Sequence, residues 1–366
     1  MPCRPVCLHT AVPESDSSTC PPIGPLSSGP GADFPGGAVD LGDGVQAWMQ
    51  PNGSWGETNA GLVSDGDSSL LVDTLWDADL AGRMLAGFGA TLERAPVRQV
   101  VTTHRDGDHW WGNVVLPPEA TVVATRAAAD EMAHEPPPAA LARLRRLARL
   151  GASLPGGLGR VSAYTSAMLA PFAFDGLRLR RPDETFEGEL RLPVGAREVT
   201  AIEVGPAHTA GDAVVHVPHA GVVFCGDILF RDVTPVVWHG PVENWLAALD
   251  RCLALDADRF VPGHGPLAGA DDVRALRGYW TWLAEAGRQE HGAGRPPGEA
   301  ARRLADSDGF RPYRSWYAPE RLVLNLLCLY RGLDGQPPLP PTAGNRLRQF
   351  RLVADLAAHL GTGPGR

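Results

Sequence analysis

The sequence predicts an α/β fold in which two facing sheets are covered by helices and followed by a helical C-terminal extension. Two observations carry that expectation. Strand-like apolar runs followed by an amphipathic helix occur once in each half of the region before Pro266, and beyond Pro266 apolar residues recur only at i, i+3 and i+4 spacing. The first half opens with "GVQAWMQ" as a strand. Next comes "AGLVSDGDSSLLVDT", two apolar runs broken by Asp65-Gly66-Asp67, the pattern of a β-hairpin. In "DADLAGRMLAGFGATL" the spacing turns helical, with Asp77 placed to cap the first turn. "VRQVVTT" then reads as a buried strand ending in a loop, and "TVVAT" as its neighbour. An insertion over residues 127–159 contains "PPPAALARLRRLARL", which sets Leu141, Leu144 and Leu147 along one face and arginines on the others. It reads as a solvated amphipathic helix, with a lid over a binding site as the second reading. The second half supplies the strands "REVTAIEVG", "AVVHVP" and "GVVFCGDILF", the helix "VENWLAALDRCLAL" and the strand "RFVPGHG". Four helical stretches follow, broken by Pro and Gly, and read as scaffold and pocket wall.

Composition bounds the partners. With 366 residues, 44% of them hydrophobic and 20% charged, the chain can build a sizeable core. A net charge of −9 argues against a nucleic-acid or anionic-membrane surface, since both need a basic footprint. Residues 1–40 are rich in Pro, Gly and Ser, lack an apolar run of signal-peptide length and read as a disordered leader. No stretch approaches the ~20 apolar residues that cross a bilayer, so a cytoplasmic location is expected. Cys3 and Cys7 lack the second ligand pair of a zinc knuckle, and Cys225, Cys252 and Cys328 sit in apolar contexts that suit buried thiols.

The chemistry concentrates in "VTTHRDGDHWWGN". His104, Asp106, Asp108 and His109 crowd into one loop after a strand, where side chains can converge on a cation without rearrangement. Three more candidates share that context: His208 in "EVGPAHTAGD", Asp227 in "VVFCGDILF" and His264 in "FVPGHGP". One loop histidine is weak evidence for a metal. Seven imidazoles and carboxylates at strand ends are strong evidence.

These motifs, together with "LLVDT" before the first helix, resemble the metallo-β-lactamase-fold superfamily from about residue 44 to 266. The resemblance implies a four-layer αββα sandwich over residues 41–268, with the insertion at 127–159 and a helical extension at 269–366 packed on it. It also implies that His104, Asp106 and His208 hold one metal, that Asp108, His109 and His264 hold a second, that Asp227 bridges them, and that Asp73 and Asp212 support them. Most relatives carry a histidine where this chain has Asp106. The added carboxylate makes the donor set harder, so zinc is expected and iron or manganese is admitted. Flavodiiron oxygen reductases are similar at that position, but they require a flavodoxin-like domain whose phosphate loop the helical tail lacks. Two cations sharing a hydroxide provide a nucleophile for a carbonyl at neutral pH, with Asp108 as the catalytic residue that orients it and moves its proton.

Substrate is less defined. The phrases "THRDGDHWWGN", "ATRAAADEM", "FDGLRLRRPDETFEGEL", "EVGPAHTAGDAVVHVP" and "GDILF" resemble actinobacterial members of the superfamily associated with aromatic polyketide clusters, which include thioesterase/cyclases. That resemblance implies a metal-dependent hydrolase acting on a small-molecule or acyl-carrier-linked (thio)ester. The alternatives are a lactonase, an arylsulfatase, a β-lactamase-like hydrolase and a catalytically altered binding protein. Trp110, Trp111, Trp238, His239 and Trp245 are candidates for an aromatic substrate wall, although tryptophans at such junctions more often seal a core.

Overall fold

In the computed structural model, which describes residues 34–362, two sheets pack face to face between helices. The first sheet runs in the order β1 (Gly37–Gly42), β2 (Val45–Met49), β3 (Ala60–Asp65), β4 (Ser68–Val72), β5 (Val97–Val101), β6 (Thr121–Thr125) and β7 (Glu184–Phe186). Its first four strands form an antiparallel meander, and β4 to β7 pair in parallel. The second sheet contains β8 (Glu189–Val194), β9 (Arg197–Glu203), β10 (Ala213–Val217), β11 (Val222–Phe230) and β12 (Arg259–His264), consecutive strands lying side by side. Only β11 and β12 pair in parallel there. A parallel pair needs a crossover, and α7 (Val242–Leu253) provides it. The four-layer αββα architecture expected from the sequence is therefore the one observed. Most of the leader, with Cys3, Cys7 and Cys20, lies outside the described residues, and its expected end at residue 40 is corrected by β1, which starts at Gly37.

Alternation decides which side chains meet between the sheets. Val45, Ala47, Val63, Leu70 and Val72 of the first sheet close on Val199, Ala201, Val215, Phe224 and Val261 of the second, every one buried. Strand β11 is buried along its whole length, so it reads as a continuous apolar run interrupted only where Asp227 must sit. Outside the first sheet lie α1 (Ala78–Gly87) and the short α2 (Gly89–Leu92). The Asp77 carboxylate accepts from the Leu80 N–H at 2.8 Å and caps the first of these, as its position predicts. Single-turn α3 (Gly107–Trp110) follows β5 and carries Asp108 and His109.

The insertion is longer than the sequence suggested. Three helices, α4 (Arg126–Ala133), α5 (Pro138–Gly151) and α6 (Gly156–Leu169), carry it ten residues past the expected end at 159. Of the three leucines on the expected face of α5, Leu141 is half-buried against the core and the other two turn outward. Leu144 and Leu147 are 43% and 56% exposed, while Ala142 and Ala148 are buried. Small side chains let α5 approach α6 closely, and that contact decides the orientation over the leucine spacing. The C-terminal helices α8 (Ala270–Gly292), α9 (Pro297–Ala305), α10 (Leu322–Leu333) and α11 (Ala343–Leu360) pack against the outer side of the sandwich and against the insertion, where Arg160 pairs with Asp355 at 2.8 Å. No helix among the described residues is long and apolar enough to cross a membrane.

One glycine sets the distance between the sheets. A Cβ on Gly61 of β3 would lie 2.1 Å from the Phe224 ring of β11. Gly61→Ala is therefore expected to overpack the interface and destabilise the protein by about 1–3 kcal/mol, measured as a lower urea midpoint at unchanged slope.

Candidate metal centre

The sequence-predicted ligands reach one place because both parallel pairings deliver strand ends to the same edge of the sandwich. His104, Asp106, Asp108 and His109 follow β5, His208 lies between β9 and β10, Asp227 lies within β11 and His264 ends β12. Asp227 sits at a register irregularity between Gly226 and Phe230, which re-aims its carboxylate out of the ladder. Gly263 allows the approach. A Cβ there would lie 2.0 Å from Asp227 Oδ1.

The Asp227 carboxylate is the centre of the arrangement. His109 Nε2 is 3.1 Å from its Oδ1, and the Nε2 atoms of His264, His208 and His104 are 3.3, 3.4 and 4.0 Å from its Oδ2. Two ligand sets result, His104–His208–Asp227 and Asp108–His109–His264, each with donor atoms within 4.8 Å of one another. Asp106 stands at the rim of the first set. Its Oδ2 is 3.1 Å from His208 Nε2 and accepts from the Trp238 indole N–H at 2.8 Å. The structure thus gathers all seven candidates, with Asp227 completing the set in which Asp106 was expected.

Every imidazole is oriented from behind. His208 Nδ1 donates to the Val236 carbonyl at 2.6 Å and His264 Nδ1 to the Glu57 carbonyl at 3.0 Å. His109 Nδ1 lies 2.7 Å from Asp73 Oδ2. His104 Nδ1 meets Thr103 Oγ1 at 3.0 Å, and that hydroxyl donates onward to Asp73 Oδ2 at 2.8 Å, so its oxygen is left to accept from His104. A proton fixed on Nδ1 leaves the Nε2 lone pair facing inward, the tautomer a metal ligand requires. His104 Nε2 is buried with no hydrogen-bond partner, a lone pair that a cation would satisfy. Burial, with His109 beside it, also holds His104 well below the usual histidine range and hence neutral. Burial opposes charge on Asp227 too, but with no cation bound the neighbouring His264 and His109, in their protonated forms, outweigh it and keep the carboxylate well below its usual range. A donor set of four imidazoles around the ionised Asp227 carboxylate, preoriented and buried, fits divalent metal ions.

Supporting residues come partly from expected places. Asp73, at a positive φ of 62°, also accepts from the Thr103 N–H at 2.8 Å, and Asp212 accepts from the Ala207 and Thr209 N–H groups. Others had no sequence signal. Thr58 donates to Asp108 Oδ2 at 2.9 Å from a loop before β3, and Asn325 of α10 holds the 235–237 segment by accepting from the Val237 N–H and donating to the Pro235 carbonyl. That segment holds His208, so the tail contributes to the centre. Burial pushes Glu57, on the wall of the site, up to about 7.

The aromatic wall is corrected. Trp110, Trp111 and Trp245 are at most 1% exposed and belong to the core, because their indoles fill space between helices and sheet; Trp110 donates to the Arg105 carbonyl and Trp245 to that of Ile228. Trp238 and His239 are half-buried and line an open cavity beside Asp106.

A four-layer sandwich with imidazoles converging on a strand carboxylate defines an α/β protein with a candidate metal centre. The chain belongs to the Metallo-beta-lactamase superfamily, whose family model matches residues 53–264. It is 24% identical over 324 residues to the linear primary-alkylsulfatase of Pseudomonas sp. (strain ATCC 19151), covering 80% of this chain and 60% of that one. It is also 24% identical over 211 residues to the 2,4-dinitroanisole O-demethylase subunit alpha of Nocardioides sp. (strain JS1661), covering 56% and 51%. The solved sec-alkylsulfatase Pisa1 from Pseudomonas sp. shares the fold with a TM-score of 0.62 at 18% identity, over 85% of this chain and 54% of that one. This chain thus spans 51% and 60% of the length of the two curated relatives.

The Asp73 carboxylate has two tasks, orienting His109 directly and His104 through Thr103. Asp73→Asn is expected to weaken metal binding by about 10–100-fold, read by competition titration against a chromogenic chelator, with the far-ultraviolet dichroism unchanged.

Proposed function

We propose that the protein is a metal-dependent hydrolase that directs water onto an activated acyl carbonyl and, more finely, a thioesterase/cyclase acting on a polyketide (thio)ester. A cytoplasmic setting and a small-molecule or acyl-carrier-linked substrate complete the proposal. The observation that carries the hydrolase reading is the convergence of four Nε2 atoms on the buried Asp227 carboxylate, with Asp108 beside them. The finer reading rests on the resemblance of the loops and insertion to polyketide-cluster proteins.

His104, His208 and Asp227 would hold one ion, with Asp106 at its rim, and Asp108, His109 and His264 the other; zinc suits the imidazoles, and Asp106 admits iron or manganese. Bound divalent ions supply Lewis acidity toward a carbonyl oxygen and lower the pKa of water towards ~7. The chain's own part is positioning. Thr58 occupies Oδ2 of Asp108 and leaves Oδ1 to take the proton of the attacking water and pass it to the leaving group. Arg105 and His208 hold Asp106 ionised against its burial, and the Trp238 indole N–H donates to the same carboxylate.

A second reading, hydrolysis of a sulfate ester, is favoured by the alkylsulfatase relative, which aligns over 80% of this chain where the family model spans only residues 53–264. The same water and the same Asp108 would serve it, with sulfur in place of the acyl carbon.

Elemental mass spectrometry on protein purified without chelator, followed by a panel of thioesters, lactones and alkyl sulfates, tests both. About two metals per chain and thioester turnover are expected. Asp108→Ala and His109→Ala should each lower kcat by at least about 100-fold while leaving the fold intact. Turnover of alkyl sulfates alone would select the second reading. A protein that is metal-free and cannot be reconstituted would overturn both and leave a binding protein.

A further inference from the structure

A cation beside the metal centre has no assigned task. Arg346, in the first turns of α11, lies over the face of Trp238 with its guanidinium carbon 4.2 Å from the ring centroid. No ion pair or side-chain hydrogen bond engages it among the described residues. Arg105, by contrast, is held by Glu131 at 3.3 Å and Asp106 at 3.6 Å. Both guanidiniums border one cavity of about 50 Å³, partly open to solvent, whose other walls include Glu131, which is spent on Arg105, together with Trp238, His239, Gln349 and the proline-rich 338–341 segment. The cavity adjoins the metal centre through Trp238, whose indole N–H binds Asp106, which in turn touches His208.

Like charges facing one cavity raise a physical question. Burial, with Arg105 nearby, lowers the Arg346 guanidinium to about 10, and Asp106 and Glu135 offset this only in part. It remains charged at neutral pH. Contact through the ring face stabilises the cation but leaves its N–H donors unfilled, and a guanidinium in that position offers a two-pronged edge that matches a carboxylate. Arg321, which stacks on Trp55 in the same way, also donates from Nη1 to the Thr234 carbonyl. Arg346 has no such acceptor among the described residues.

We infer that Arg346, stacked on Trp238, is an anion-binding subsite that takes a carboxylate of the substrate away from the bond being cut. Its position on α11 gives the C-terminal extension a role in selecting substrate, which no strand-end motif could have indicated. Assignment of the anion to a substrate rests on the hydrolase reading; the subsite itself does not. The substrate class is therefore an acyl (thio)ester that carries a free carboxylate on its acyl or leaving group. The enclosed space suits that carboxylate, not a whole polycycle.

The test uses the metal-loaded protein and two independent readouts. Calorimetric titration with benzoate, in wild type and Arg346→Gln, is expected to show at least ten-fold weaker binding in the variant, with partial recovery in Arg346→Lys, which keeps the charge and loses the fork. Equal benzoate affinity in wild type and Arg346→Gln, or no binding to either, would overturn the subsite. In the kinetic arm, the ratio of kcat/KM for a succinyl thioester to that for the neutral methyl-succinyl thioester should fall at least ten-fold in Arg346→Gln, mainly through KM. An unchanged ratio would overturn the assignment to substrate. Loss of benzoate binding in the variant, with no turnover of any ester by wild type, would keep the subsite and reject the hydrolase reading. Should Arg346→Gln lose its fold by circular dichroism, Arg346→Lys serves both arms.

Discussion

The structure depends on keeping one carboxylate ionised in the interior. Asp227 sits in the middle of a strand buried at every position, between two sheets whose other facing side chains are hydrocarbon. An isolated charge there would cost several kcal/mol. Four imidazole Nε2 atoms stand within about 4 Å of it, and a proton or cation held between them and the carboxylate offsets that cost. Much of the surrounding structure serves to hold those imidazoles in place.

That support forms a chain of dependence running outward. Asp73 fixes His109 and, through Thr103, His104; the backbone at Val236 and Glu57 fixes His208 and His264. The Val236 segment is in turn held by Asn325 of α10. Helices outside the sandwich are thus tied to the centre by hydrogen bonds as well as by packing. The insertion is tied similarly, since Tyr164 of α6 accepts from Trp55 and donates to Glu320 ahead of α10. Insertion and tail close around the loop that carries Glu57 and Thr58, so the tail, which lies outside the family match, forms part of the site's wall.

Legibility followed the range of each signal. Most strands, the hairpin at Asp65-Gly66-Asp67, the Asp77 cap and the four tail helices depend on neighbours within a few residues and were readable; β1, inside the expected leader, and β7 and β8 were not. The seven candidate ligands were readable for the same reason, because each sits in a short strand-end motif. Leu144 and Leu147 misled because helical spacing specifies a face but not its direction, and the close approach of α5 to α6 favours alanine inside. Trp110 and Trp111 misled because adjacency to a metal loop in sequence says nothing about which side of α3 their rings occupy.

By itself, then, the sequence determined the αββα architecture, the helical extension and the set of residues with metal-ligand chemistry. Those properties follow from local periodicity and side-chain type. Only the tertiary structure decided that Asp106 lies at the rim, that Thr58 and Asn325 support the site from segments 50 and 88 residues away from their partners, and that Arg346 reaches Trp238. The physical reason is that these contacts join elements brought together by burial of distant apolar faces, and no local pattern encodes which distant faces meet.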